Sequence, residues 1–82
     1  MGRQLKETIL EIVKQQEFTF EGNDCLIKDV VVMLYVHGIY IVQLIRRYYG
    51  WCDNNLDYRY KKEFNDWTEA DAYYNWLLKI ES

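Results

Sequence analysis

The stretch from Val30 to Ile45 constrains this chain more than any other. Val30-Val31-Val32-Met33-Leu34-Tyr35-Val36 contains no polar residue, His37-Gly38 interrupts it, and Ile39-Tyr40-Ile41-Val42-Gln43-Leu44-Ile45 resumes the apolar run. The four β-branched residues among 30–36 disfavour a helix, because branching at Cβ restricts χ1 against the preceding turn. Two β-rich runs split by a glycine-containing pair predict a hairpin. A buried helix over 26–36 is the competing reading. Both parities of the hairpin strands are apolar, so each face needs cover, from the chain itself or from another molecule. The interrupted run is too short and too β-branched for a membrane-spanning helix.

Around this centre the periodicity changes several times. Leu5, Ile9, Ile12 and Val13 recur at helical spacing, with Arg3, Lys6, Glu7, Glu11 and Lys14 on the other faces, which predicts an amphipathic helix over 3–16. Glu17 to Glu21 alternates as a short strand and runs into a turn at Gly22-Asn23-Asp24. Gly50-Trp51-Cys52-Asp53-Asn54-Asn55 reads as a loop. Leu56 to Phe64 alternates again, with Tyr58, Tyr60, Lys62 and Phe64 on one face and Asp57, Arg59, Lys61 and Glu63 on the other, the pattern of a strand near a sheet edge. Thr68 with Asp71 three residues later predicts a capped helix start, and Ala70, Tyr73, Trp76, Leu77 and Ile80 line its apolar face. The fold class expected is α+β in one domain, 1–82. An N-terminal helix precedes a three- to four-stranded antiparallel meander, a C-terminal helix follows it, and both helices pack on the sheet.

Composition supports a folded domain of this size. Half of the 82 residues are hydrophobic and 17% aromatic, and rings bury large areas in a core that has few residues to spend. The net charge of −3 gives no global attraction to nucleic acid or anionic membrane. Two cysteines, Cys25 and Cys52, are too few for a disulfide framework, so two reduced thiols in a cytoplasmic protein is the favoured reading; a single bridge stays open.

The inventory argues against catalysis. Ser82 is the only serine and His37 the only histidine, the latter in a predicted turn. A nucleophile–base pair would therefore require a cysteine to approach His37. Cys25, Cys52 and His37 lack metal-ligand spacing, the Asp53–Asp57 loop lacks the calcium-loop pattern, and the glycines are scattered rather than gathered into a phosphate loop. No enzyme activity, metal or cofactor is expected. What stands out is a cluster of cations and rings, with Arg46, Arg47, Tyr48, Tyr49 and Trp51 before and in the loop and Arg59 and Lys61 on the strand beyond it. Such residues serve as a solvated face, as protein contacts, or as stacking and phosphate contacts for single-stranded nucleic acid, ranked here in that order. These seven are the candidate partner-binding residues.

The strand Tyr58-Arg59-Tyr60-Lys61-Lys62-Glu63-Phe64 and the helix Thr68-Glu69-Ala70-Asp71-Ala72-Tyr73-Tyr74-Asn75-Trp76-Leu77 together are similar in style to small phage or mobile-element proteins, among them anti-CRISPR inhibitors of helix–sheet–helix order. The resemblance covers the last third of the chain. It implies a stoichiometric inhibitor in the host-cell cytoplasm that occupies a surface on a bacterial defence nuclease complex. Many such inhibitors present acidic surfaces, from which the basic strand pair here departs. The expected function is a non-catalytic protein-binding module; a nucleic-acid-binding module and a structural homodimer are the alternatives.

Overall fold

The computed structural model describes residues 10–22, 25–50 and 56–81. Four strands, β1 (Leu10–Gly22), β2 (Cys25–Val36), β3 (Ile39–Gly50) and β4 (Leu56–Phe64), form one antiparallel meander in the order β1-β2-β3-β4, followed by a helix, α1 (Trp67–Glu81).

The hairpin expected at the centre is present and sets the rest. His37 and Gly38 have φ of 50° and 80°. Positive φ at both central residues is the requirement of the tight turn whose twist matches that of the flanking strands. A Cβ on Gly38 would meet nothing within 4 Å, so its backbone conformation is what calls for glycine there. From this turn β2 and β3 pair without a slip from Val36↔Ile39 to Cys25↔Gly50. Odd residues of β2 and even residues of β3 then share one face, and their neighbours share the other.

The N-terminal helix expected over 3–16 is not present where the chain is described. Residues 10–16 belong to β1, and residues 3–9 lie outside the described part. The physical reason is a bulge. The register of β1 on β2 shifts between Ile12 and Lys14, so Ile12 pairs with Leu34 on one face while Val13 packs against the core on the other. One inserted residue breaks strict alternation. The result is a spacing of apolar residues that imitates a helical stripe.

α1 packs on β2, β3 and β4 and closes a single core of Val31, Met33, Val42, Leu44, Ala70, Tyr74 and Leu77. Its N-cap is Asp66 rather than the expected Thr68. Asp66 Oδ2 accepts from the Glu69 backbone N–H at 3.1 Å, and its carbonyl accepts from Ala70 N–H at the same distance. Aspartate caps at least as well as threonine, and Glu69 completes the pattern at the third helical position. Asp71 is instead engaged by Lys14 of β1, whose ammonium also lies 4.6 Å from the Tyr74 ring centroid and 5.2 Å from that of Trp67. This clamp ties the edge strand to the helix.

Leu77 is fully buried as expected, whereas Trp76 is 47% exposed. Trp76 lies edge-on to Tyr60 and beside Tyr73, on the flank of the helix over β4. Ile80, also assigned to the core from periodicity, is exposed as well. The buried stripe runs through Ala70, Tyr74 and Leu77, one residue round the helix from the expected one. Leu77→Ala is therefore expected to cost about 2–5 kcal/mol through its cavity, and Trp76→Ala less than half as much, as read by denaturant unfolding. Equal losses would place Trp76 in the core.

Candidate interaction site

One helix can cover one face. α1, with 15 residues, is about 22 Å long, while strands of 12 residues run about 40 Å. The extents are 46 × 36 × 15 Å, and among the described residues the short dimension holds a sheet and a helix. Among the described residues nothing covers the second face. That face carries Val30, Val32 and Leu34 of β2 and Ile41, Gln43 and Ile45 of β3 at its centre. Gln15 and Glu17 of β1 and Leu56 and Tyr58 of β4 flank it, around a shallow concavity of about 410 Å³. Both parities of the hairpin strands are apolar, as the sequence indicated, but among the described residues only one is paired with a helix.

Gln43 stands out on this open face. It is 8% exposed, and its side-chain amide has no hydrogen-bond partner among the described residues. Buried polar groups are nearly always paired, and leaving one unpaired costs free energy. The sequence signal was Gln43 itself, a polar interruption of the apolar stretch Val30–Ile45, whose face and burial the run alone does not fix.

The seven candidate partner-binding residues do not form one cluster. Arg47, Tyr49 and Lys61 lie on the open face, since Arg47 pairs with Lys28 and Leu56, Tyr49 with Leu26, and Lys61 with Gln43. Arg46 and Tyr48 point to the helix face. Arg59 is the extra residue at a second register shift, between Leu44 and Ile45, and lies 3.8 Å from Asp57. That shift also moves Tyr58 to the open face, away from Tyr60, Lys62 and Phe64, with which strict alternation had grouped it. Trp51 and the 51–55 loop lie outside the described residues.

Arg46 is structural. Its guanidinium donates to both carboxylate oxygens of Asp29, at 2.8 and 2.9 Å, and Asp29 is fully buried. Burial pushes the Asp29 carboxyl up, but the Arg46 bond, a bond from Glu81 and the charges of Arg46 and Arg59 together hold it below the usual range. The bond to Asp29 in turn raises Arg46. At the end of α1, Glu81 is pushed up to about 7, first by burial and then by its hydrogen bond to Asp29 and the charge there. Sequence reasoning missed this triad, because Asp29 and Glu81 are far apart in the chain and carry no motif.

Catalytic geometry is lacking at the one pair the sequence left open among described residues. Cys25 and His37 lie at opposite ends of β2, about 35–40 Å apart along the strand. Cys25 is moreover disulfide-bonded, which corrects the favoured reading of two reduced thiols; Cys52 lies outside the described residues. The described residues include no group of three or more His, Cys, Asp or Glu that could hold a metal ion. They also include no helix long and apolar enough to cross a membrane. Set against known proteins, the chain matches no family model, no curated protein and no solved structure.

Two outcomes are expected from the triad. Arg46→Ala leaves Asp29 buried without its partner and is expected to cost roughly 3–5 kcal/mol, while Arg47→Ala on the open face leaves stability nearly unchanged in the same unfolding measurement. For Glu81, the folded chain keeps a proton that the unfolded chain releases at its ordinary carboxyl pKa. That stabilisation is complete below about pH 4.5 and is lost as pH rises through about 7. Asp29 acts oppositely and at lower pH, where its protonation removes stability. Melting temperature should thus fall between about pH 5 and about pH 8, and Glu81→Gln should flatten that fall. A wild-type profile already flat over this range would remove the shared proton.

Proposed function

We propose that the protein is a non-catalytic protein-binding module that works through the open face of its sheet. The observation that carries this reading is a sheet apolar on both sides that, among the described residues, has a helix on only one, together with the buried amide of Gln43 on the other, which has no partner among those residues. Apolar sheet surface without intramolecular cover is a feature of interaction sites. The residues assigned to contact are Ile45, Arg47, Tyr49, Tyr58 and Lys61, with Val30 and Leu34 as the apolar floor. The likeness in style to anti-CRISPR inhibitors offers one setting, stoichiometric capture of a defence complex in a host cytoplasm. The disulfide at Cys25 weighs against that setting, because such bonds persist mainly in oxidising compartments.

Single-stranded nucleic acid is the second reading, favoured by Arg47, Tyr49 and Tyr58 lining the same concavity. Against it, the open face carries Glu17, Glu21 and Glu63 beside Lys28, Arg47 and Lys61, a balance that supplies no net field for phosphates.

The deciding experiment is capture from bacterial lysate by the tagged protein and by its Ile45→Glu variant, each with and without nuclease. A stoichiometric protein that survives nuclease and is lost with Ile45→Glu is the expected result. Recovery that vanishes with nuclease or with modest added salt would replace protein binding by nucleic-acid binding.

A further inference from the structure

We propose that the open face is closed by a second copy of the chain, the two sheets packing face to face about a two-fold axis parallel to the strands and between β2 and β3. This rests on the reading of that face as a binding surface and names its occupant.

Size is the first argument. Four strands about 4.8 Å apart and about 40 Å long present a face of roughly 750 Å², so that two copies would bury about 1,500 Å². Stable specific interfaces bury about 1,200–2,000 Å² in total. A sandwich of two such sheets is also the ordinary way to cover strands that are apolar on both faces.

The edges offer no competing route. Both edge strands carry a bulge, at Val13 in β1 and at Arg59 in β4, and β4 bears Arg59, Lys61, Lys62 and Glu63 along its length. Bulges and charges of this kind block edge-to-edge pairing. Association is left to the face.

Side-chain complementarity selects the axis. With β2 of one copy over β3 of the other, Val30 meets Ile45 and Leu34 meets Ile41, because each pair shares a row in the sheet register. The acids Glu17 and Glu21 lie on β1 and Glu63 on β4, while Arg47 and Lys61, which have no ion-pair partner among the described residues, lie on β3 and β4. The axis places β1 of each copy over β4 of the other, so that by row Glu17 meets Tyr58, Gln15 meets Lys61 and Ile12 meets Glu63. An axis across the strands would instead stack β1 on β1 and set like charges together. The same axis brings Lys28 towards Arg47 of the other copy, and Glu17, 3.6 Å from Lys28 in its own chain, offsets that approach. Gln43 lies beside the axis. An amide carries both donor and acceptor, so two Gln43 side chains related by a two-fold can pair with each other and satisfy a group that has no partner among the described residues of one copy.

The test is the mass of the full chain in solution under non-reducing conditions, by light scattering after gel filtration and by sedimentation equilibrium. Twice the 10.1 kDa chain mass is expected at about 100 μM, with dissociation on dilution. Ile45→Glu should halve the mass while retaining the wild-type circular dichroism, whereas Arg47→Glu, which sets a carboxylate opposite Lys28 of the other copy, should lower the concentration at which the dimer dissociates. Adding Lys28→Glu to Arg47→Glu returns like charges to that row and should reverse the gain, a coupling that an unrelated partner surface would not produce. A monomer at about 100 μM overturns the inference, as does a dimer that Ile45→Glu does not disturb. If the wild type is monomeric but captures a protein that Ile45→Glu loses, only the second copy is excluded and the binding reading stands. If neither self-association nor capture depends on Ile45, both fall.

Discussion

The two-residue turn at His37-Gly38 governs the rest of the structure. Its positive backbone angles close β2 on β3 with no residue to spare, and a period of two then assigns every side chain of both strands to a face. A slip of one residue between them would leave Val31 and Met33 beneath the helix but replace Val42 and Leu44 there by Ile41, Gln43 and Ile45. Because both sets are largely apolar, hydrophobicity alone discriminates weakly between the two registers. The turn makes that choice locally.

A buried ion pair reinforces it. Asp29 and Arg46 face each other across β2 and β3 and can meet only in this register and only on the helix face. An unpaired carboxylate in the core is far more costly than an exposed one, so the pair penalises the flipped arrangement. Arg46 and Arg47 thus have opposite roles although they are adjacent. One is held against Asp29 inside the fold and the other stands on the open surface. Glu81 joins the pair from the end of α1, which links the seating of the helix to the same register.

The open face follows from supply. A sheet this long, apolar on both sides, has among the described residues one helix about half its length to cover it. The helix takes the face bearing Val31, Met33, Val42 and Leu44, to which Lys14, Tyr60 and Phe64 add rings and a cation at the rim. The other face keeps an apolar centre, a buried amide and charges of both signs on its flanks. Those are the ingredients of a specific interface rather than of a solvated surface.

The sequence by itself determined what depends on neighbouring residues. The hairpin about His37-Gly38, the edge strand from Leu56 to Phe64, the C-terminal helix and the burial of Leu77 all follow from local propensity, turn chemistry and periodicity. It also showed that β2 and β3 would need cover on both sides. Tertiary structure decided what local pattern could not encode. Bulges at Val13 and Arg59 shift parity by one residue, which turned a helix-like spacing in 10–16 into strand and moved Tyr58 to the opposite face from Tyr60. The joining of Asp29, Arg46 and Glu81, the burial of Gln43 and the separation of Arg46 from Arg47 arise from pairing between strands and from which face the helix takes. Periodicity reports how a segment alternates; only the packed sheet fixes where that alternation breaks and which side is left open.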